Sequence, residues 1–283
     1  MPVPVTRALV AGLLAGALCG ALSGCRTSTT GHAADQAAAS SRAITEGLSA
    51  GVLRLHPVVL GTLPHDTTAW TEGLEIDGDT LYESTGRPGH SALRELDPDT
   101  GLLRRATPLP DGLYGEGLTA LGARIWQLTW RDGVALDWDR ATRSPVRRLS
   151  WAGEGWGLCH TGDGRVIASD GTDRLRVLSG TDLAPLGGLP VRIAGRPLPG
   201  LNELECTPGT VWANVYQTDW IARIDPATGN VTGVVDATGL LPAGDSGAAD
   251  GAVLNGIAAI PGTDQFLLTG KLWPSMFRVR FAG

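Results

Sequence analysis

Five short phrases recur along this chain: Glu72-Gly73-Leu74, Glu116-Gly117-Leu118, Trp156-Gly157-Leu158, Asn202-Glu203-Leu204 and Asn255-Gly256-Ile257. Aligned on their middle residues, they stand 44, 40, 46 and 53 residues apart. A repeat constrains architecture before any single residue is interpreted, and periods of this length suit four short strands each, the unit of a β-propeller blade. Strand-like runs follow the phrases in the same order. Runs 80–85 and 92–96 and the turn Asp97-Pro98-Asp99-Thr100-Gly101 follow the first phrase, and runs 211–216 and 220–224 with the turn Asp225-Pro226-Ala227-Thr228-Gly229 follow the fourth. Alternation with Asp, Pro and Gly at matching offsets is the mark of antiparallel hairpins.

The last repeat stops at Phe281 after three strands, while an unassigned run, Val52 to Leu60, precedes the first phrase. The continuation of that run into Pro64 resembles the outer-strand segment Leu102 to Pro110, so the N-terminal strand is expected to complete the last repeat. The expected fold is all-β: a five-bladed β-propeller of four-stranded antiparallel blades over residues 51–283, its last blade closed by the N-terminal strand. Trp126, Trp138 and Trp212 lie in strand runs and are expected in the core.

In such blades the start of the first strand and the loop after the second meet at one mouth of the central channel. The first set holds Glu72, Glu116, Trp156, Asn202 and Asn255; the second holds Thr85, Trp130, Asp170, Tyr216 and Lys271. Carboxylates, amides, aromatics and an ammonium around one cavity are the ingredients of a small-ligand site. Lys271 is the chain's sole lysine among 23 basic residues. A lone lysine in an arginine background marks a place where a compact ammonium is wanted rather than a planar fork.

The N-terminus has one positive charge, Arg7, and then an apolar run from Ala8 to Leu22, too short for a bilayer span and suited to an export signal. It ends in Leu22-Ser23-Gly24-Cys25, which looks like a bacterial lipobox, so residues 1–24 are expected to be a lipoprotein signal and Cys25 the lipidated residue. Residues 25–50, rich in Ser, Thr, Ala and Gly, are expected to form a flexible tether. That places the protein outside the cytoplasm, held by lipid on the outer face of a bacterial membrane. The chain's net charge of −6 becomes −7 once Arg7 leaves with the signal, and an acidic chain is a poor partner for nucleic acid. A monomer is expected. Cys159 and Cys206 remain in the fold, and their spacing admits either a disulfide or two buried thiols.

A zinc-binding helix motif is absent, and the five histidines have no ligand spacing. Gly153-Glu154-Gly155-Trp156-Gly157 reads as a glycine-rich turn before a strand. A longer set of motifs runs over nearly all of 66–283: Thr71-Glu72-Gly73-Leu74, the 81–86 run Leu-Tyr-Glu-Ser-Thr-Gly, Gly115-Glu116-Gly117-Leu118, Gln127-Leu128-Thr129-Trp130, the 153–158 run Gly-Glu-Gly-Trp-Gly-Leu, the 201–205 run Leu-Asn-Glu-Leu-Glu, the 213–219 run, Leu254-Asn255-Gly256-Ile257 and the 269–274 run Thr-Gly-Lys-Leu-Trp-Pro. In these motifs the chain resembles the plant and bacterial type of glutaminyl-peptide cyclotransferase, or glutaminyl cyclase.

The resemblance implies a five-bladed propeller with no cofactor and no catalytic metal. It implies a substrate peptide or protein with N-terminal glutamine, cyclised to pyroglutamate with release of ammonia. Matched position by position, the family's active-site residues fall on Glu116, Trp130, Trp156, Asn202 and Lys271. Glu116, Asn202 and Lys271 are therefore expected to be catalytic, with Glu116 the proton shuttle, and Trp70, Glu72, Trp130, Trp156, Tyr216 and Asn255 to bind substrate. Two positions depart from the family pattern: Glu72 stands where glutamine is usual, and Tyr216 where tryptophan is usual. The competing readings are a metal-dependent propeller hydrolase or lactonase and a non-catalytic propeller lipoprotein that binds a partner.

Overall fold

A computed structural model of the chain describes Met1 and residues 29–110, 112–242 and 251–283. The proposed signal and Cys25 lie outside the described residues. Helix α1 (Thr29–Ser49) leads into β1 (Leu53–Pro64), and among the described residues every later element is a strand. Strands β2 (Thr71–Asp77), β3 (Thr80–Thr85), β4 (Ala92–Leu96) and β5 (Leu103–Pro108) form one antiparallel sheet in chain order. β6 (Gly115–Leu121), β7 (Arg124–Thr129), β8 (Val134–Asp139) and β9 (Pro145–Ser150) form a second, and β10 (Leu158–His160), β11 (Arg165–Ala168), β12 (Arg174–Ser179) and β13 (Pro185–Pro190) a third. A small hairpin, β14 (Arg192–Ile193) and β15 (Arg196–Pro197), follows. Strands β16 (Leu201–Thr207), β17 (Thr210–Val215), β18 (Trp220–Ile224) and β19 (Val231–Asp236) join β20 (Leu254–Ala259), β21 (Gln265–Gly270) and β22 (Ser275–Ala282) in one eight-stranded sheet through β1.

The joint is made by the two halves of β1. Leu53 to Leu55 run parallel to Gly233 to Val235 of β19, and His56 to Pro64 run antiparallel to β22. The described fold is thus all-β apart from α1. In each group the first strand is the inner one: β2 touches β6, β6 touches β10, β10 touches β16, β16 touches β20 and β20 touches β2.

The repeated glycines serve that approach of backbones. A Cβ on Gly73 would lie 2.8 Å from the amide nitrogen of Leu118, one on Gly117 2.4 Å from the carbonyl oxygen of Trp156, and one on Gly157 2.1 Å from that of Asn202. Real side chains do not tolerate such contacts, so the inner strands can pack this closely only without a Cβ. Outward from them, apolar side chains fill the space between adjacent sheets. Trp126 and Leu128 of β7 pack with Leu158, Val166 and Ala168 of the next sheet, and Trp138 and Trp212 are buried as expected. Each fully buried side chain of this size contributes about 1.5–3 kcal/mol relative to exposure. A disulfide between Cys159 and Cys206, with Cα atoms 5.5 Å apart, links β10 to β16.

The expectation of a flexible tether over residues 25–50 is corrected across α1. Ser40, Ala43, Ile44 and Gly47 are buried along one helical face, a spacing of i, i+3, i+4 and i+7. Ala43 and Ile44 join the core cluster that includes Ile193, the Ser40 hydroxyl donates to the Pro199 carbonyl at 2.8 Å, and Arg196 pairs with Glu46 at 2.6 Å. Small residues that look too poor in apolar surface to fold are what allow the helix to lie close on the β14–β15 hairpin.

Candidate active site

The side chains of the repeated phrases are aimed by a shared irregularity of the inner strands. Register shifts fall between Thr71 and Gly73, Gly115 and Leu118, Leu201 and Leu204, and Leu254 and Ile257, so four of the five repeated phrases coincide with a β-bulge. A bulge inserts residues out of the alternation and re-aims a side chain. Here Glu72, Glu116 and Asn202 are turned into a cavity of about 420 Å³, and Trp156 enters it from the turn ahead of β10.

Lys271, Trp130 and Tyr216 reach the same cavity from the loops after β21, β7 and β17, and Trp70 from just before β2. Asp170 also lines it, whereas Thr85 is spent on the hairpin, its hydroxyl accepting from the Ala92 N–H at 3.0 Å. Asn255 is the one expected substrate contact that does not line the cavity. Fully buried behind Glu72, it donates from Nδ2 to the Thr71 carbonyl at 2.9 Å and to Glu72 Oε2 at 3.2 Å. Its bulge turns it toward the neighbouring inner strand rather than the opening.

Glu72 and Lys271 form a buried ion pair. Lys271 Nζ lies 2.8 Å from Oε1 and 2.7 Å from Oε2, and the Tyr114 hydroxyl donates to Oε1 at 3.0 Å. The ammonium also sits 5.2 Å from the centre of the Trp70 ring and 5.5 Å from that of Tyr216. Burial opposes the charge on Lys271, but the Glu72 and Glu116 carboxylates outweigh it and hold its pKa above the usual lysine value.

Glu116 has the opposite balance. It is 5% exposed, and burial first, then the charge of Glu72, push its carboxyl well above the usual range, with Lys271 only partly offsetting them. An acid of raised pKa beside a fixed ion pair is the electrostatic form of a proton-transfer site. Asn202 is 3% exposed, and its Oδ1 has no hydrogen-bond partner among the described residues although it lines the cavity. A buried polar atom of this kind is costly unless something in the cavity meets it.

The walls are aromatic. Trp156 meets Tyr216 edge to face at 5.2 Å, and Tyr114 meets Trp130 at 5.4 Å. The sequence did not single out Tyr114, Glu154, Arg131 or Gln36, all of which line the cavity. Gln36 lies in a segment that reads as unfolded and carried no signal, while Glu154 entered only as part of the 153–158 run, which otherwise reads as a plain turn. Among the described residues no group of three or more His, Cys, Asp or Glu is placed to hold a metal ion.

Inner strands that deliver an acid of raised pKa, an ion pair and an amide to one aromatic-walled cavity describe an all-β protein built for acid–base chemistry on a small group. The sequence model of the glutamine cyclotransferase family matches residues 29–281, and the chain belongs to that family. It is 37% identical over 228 residues to the glutaminyl-peptide cyclotransferase of Arabidopsis thaliana, covering 78% of this chain and 70% of that one. The crystal structure of Myxococcus xanthus glutaminyl cyclase matches with a TM-score of 0.75 at 37% identity, covering 81% of this chain and 97% of that chain.

Proposed function

We propose that this chain converts the N-terminal glutamine of peptides and proteins to pyroglutamate with release of ammonia, and that Glu116 moves the proton. Family membership supports the reaction, and the buried Glu116 beside the Lys271–Glu72 pair is the observation that supports the mechanism. The α-amine attacks the carbon of its own γ-carboxamide, a C–N bond forms to close the five-membered ring, and the bond to the carboxamide nitrogen breaks. One proton leaves the amine for the Glu116 carboxylate and passes from there to the departing nitrogen, which leaves as ammonia.

The substrate brings its own nucleophile, so the protein has to fold the side chain back, move the proton and steady the oxygen on which charge develops. Holding a near-attack conformer between Trp130 and Trp156 supplies part of the barrier reduction. Raising Glu116 brings its proton affinity closer to that of an α-amine, about 7.7–8.0, so transfer in either direction costs less. Asn202 and Lys271 face the same cavity as hydrogen-bonding groups for the carboxamide. Glu72 is engaged with Lys271, Tyr114 and Asn255, and we assign it to fixing Lys271 rather than to anchoring the amine alone. Ammonia release from a glutamine-initiated dipeptide is the test. Glu116→Gln is expected to lower kcat by about 10²–10⁴, and a variant as fast as wild type would remove Glu116 from this role.

The five groups of strands are proposed to be the blades of a five-bladed propeller, with β1 completing the group β20–β22. The contacts of each inner strand with the next, from β2 round to β20 and back, support this reading, as does the antiparallel pairing of β1 with β22. Residues 1–24 are proposed to be an export signal and Cys25 a lipid-bearing anchor on a bacterial membrane. The Leu22-Ser23-Gly24-Cys25 run supports it, and no helix among the described residues is long and apolar enough to cross a membrane. Fatty-acid labelling that persists in Cys25→Ser would refute the anchor.

A further inference from the structure

The two tryptophan walls of the pocket are held by a single carboxylate. Glu154 Oε2 accepts a hydrogen bond from Trp130 Nε1 at 2.9 Å and another from Trp156 Nε1 at 2.9 Å. Its other oxygen, Oε1, accepts from Arg131 Nε at 2.7 Å, and the Arg131 guanidinium lies 4.0 Å from the centre of the Trp130 ring. The backbone carbonyl of Glu154 adds a bond from Trp151 Nε1 at 3.2 Å, and the Gly155 N–H donates to the Trp130 carbonyl at 3.0 Å. Trp130 follows β7 and Trp156 precedes β10, so the two indoles come from different sheets and nothing in either sheet alone fixes their separation.

We infer that Glu154 is a positioning residue for cyclisation: by tying both indole N–H groups to one oxygen atom, it sets the gap in which the glutamine side chain folds back on its amine. The inference rests on the cyclase reading of the pocket. An indole has one donor and a broad apolar face, so a ring released from its N–H partner keeps its contact area but loses its angle. Loss of angle costs near-attack population rather than affinity, because a displacement on the order of 1 Å costs about a hundredfold in rate. Charge-assisted bonds of this kind are about twice as strong as neutral ones, which is why an acid suits the position. Burial opposes the ionised form, but the indole N–H groups and Arg131 outweigh it and hold the Glu154 carboxyl below the usual range, so it is an acceptor throughout the neutral region.

The inference predicts a split between rate and binding. With a glutamine-initiated dipeptide, Glu154→Ala is expected to lower kcat about 10- to 100-fold with KM within about threefold of wild type. Glu154→Gln keeps an amide oxygen in the place of Oε2 and is expected to recover most of the loss. The direct readout is the pair of indole N–H resonances of Trp130 and Trp156, assigned through Trp130→Phe and Trp156→Phe. In wild type they should lie downfield as carboxylate-bonded donors, and in Glu154→Ala they should move upfield together. Should Glu154→Ala not fold, Arg131→Ala loosens the same carboxylate from an exposed position and is expected to shift both resonances and lower kcat to a lesser degree.

Unchanged kcat, a loss carried entirely by KM, no recovery in Glu154→Gln, or indole resonances that ignore the substitution would each overturn the inference. The resonances report the clamp without turnover. An inactive wild type with both indoles downfield would therefore count against the cyclase reading and leave the clamp standing.

Discussion

Glu72 is one of the two residues expected to depart from the usual family pattern, an acid in place of an amide, and its charge is felt by the acid proposed to move the proton. After burial, the Glu72 carboxylate is the largest influence raising Glu116. Replacing it with glutamine removes that repulsion and leaves Lys271, which lowers Glu116, without its ion-pair partner. Both changes act in the same direction, so the pKa of Glu116 falls. As a proton acceptor Glu116 works in its carboxylate form, and the rate rises with pH through its pKa. The acid limb of the kcat/KM profile is therefore expected above the ordinary carboxylate range in wild type and at lower pH in Glu72→Gln. A limb that stays in place or moves upward would show that the two carboxylates do not communicate. Leaving Lys271 buried and unpaired also costs stability, about 3–5 kcal/mol for such a pair, read as a lower urea midpoint.

At the scale of elements, the repeated phrase is a bulged strand start whose glycine admits the neighbouring strand. The recurrence of Gly and Leu was legible because spacing survives in a sequence. The bulge was not, since a one-residue slip in pairing leaves no trace in the alternation of a single strand. Glu203 shows the reverse case. It replaces the phrase's glycine, and its carboxylate crosses to accept from the Leu74 N–H at 3.2 Å and the Ile257 N–H at 2.9 Å, binding β16 to β2 and β20. Substituting Gly117 tests the packing argument, because the carbonyl that a new Cβ would strike is backbone and cannot rotate away. Gly117→Ala is expected to cost more than the roughly 1–3 kcal/mol of ordinary overpacking, measured by denaturant unfolding. A neutral result would mean that the inner strands are not held this close. Helix α1 was illegible for another reason: its buried face is made of Ser40, Ala43, Ile44 and Gly47, whose value depends on a partner far along the chain, Ile193. The same helix brings Gln36 to the cavity and bonds its amide to the Gly171 carbonyl, so the segment expected to be a spacer contributes to the site.

At the scale of the whole molecule, the join between the two ends of the fold is fastened by a buried charge network just beyond β1. His65 Nε2 lies 2.9 Å from Glu83 Oε1 of β3, and His65 Nδ1 lies 2.7 Å from the Trp273 carbonyl in the loop that also carries Lys271. Arg94 pairs with Glu83 Oε2 at 3.2 Å and with Asp66 at 2.9 Å, the Thr71 hydroxyl donates to Glu83 Oε1 at 2.7 Å, and the Thr269 hydroxyl lies 3.3 Å from His65 Nδ1. With acceptors on both sides, the imidazole is best served by carrying two protons. Burial opposes its charge, but Glu83 and the Trp273 carbonyl outweigh burial and raise His65 above its usual 6.5. Glu83 is held below its usual 4.5, because His65 and Arg94 outweigh its own burial. The signs then define a window. A raised histidine contributes stability that is complete below 6.5 and is lost as pH rises through its folded pKa, while a depressed carboxylate contributes stability that is complete above 4.5 and is lost as pH falls through its folded pKa. Between those limits His65→Gln should lower the melting temperature by several degrees, since removing one partner of a buried pair costs about 3–5 kcal/mol. On raising the pH past the folded pKa of His65, the wild type should lose stability that the variant never had, and the gap between the two should narrow. A gap of constant size across that range would mean that His65 is neutral in the fold and that the ends are joined by strand pairing alone.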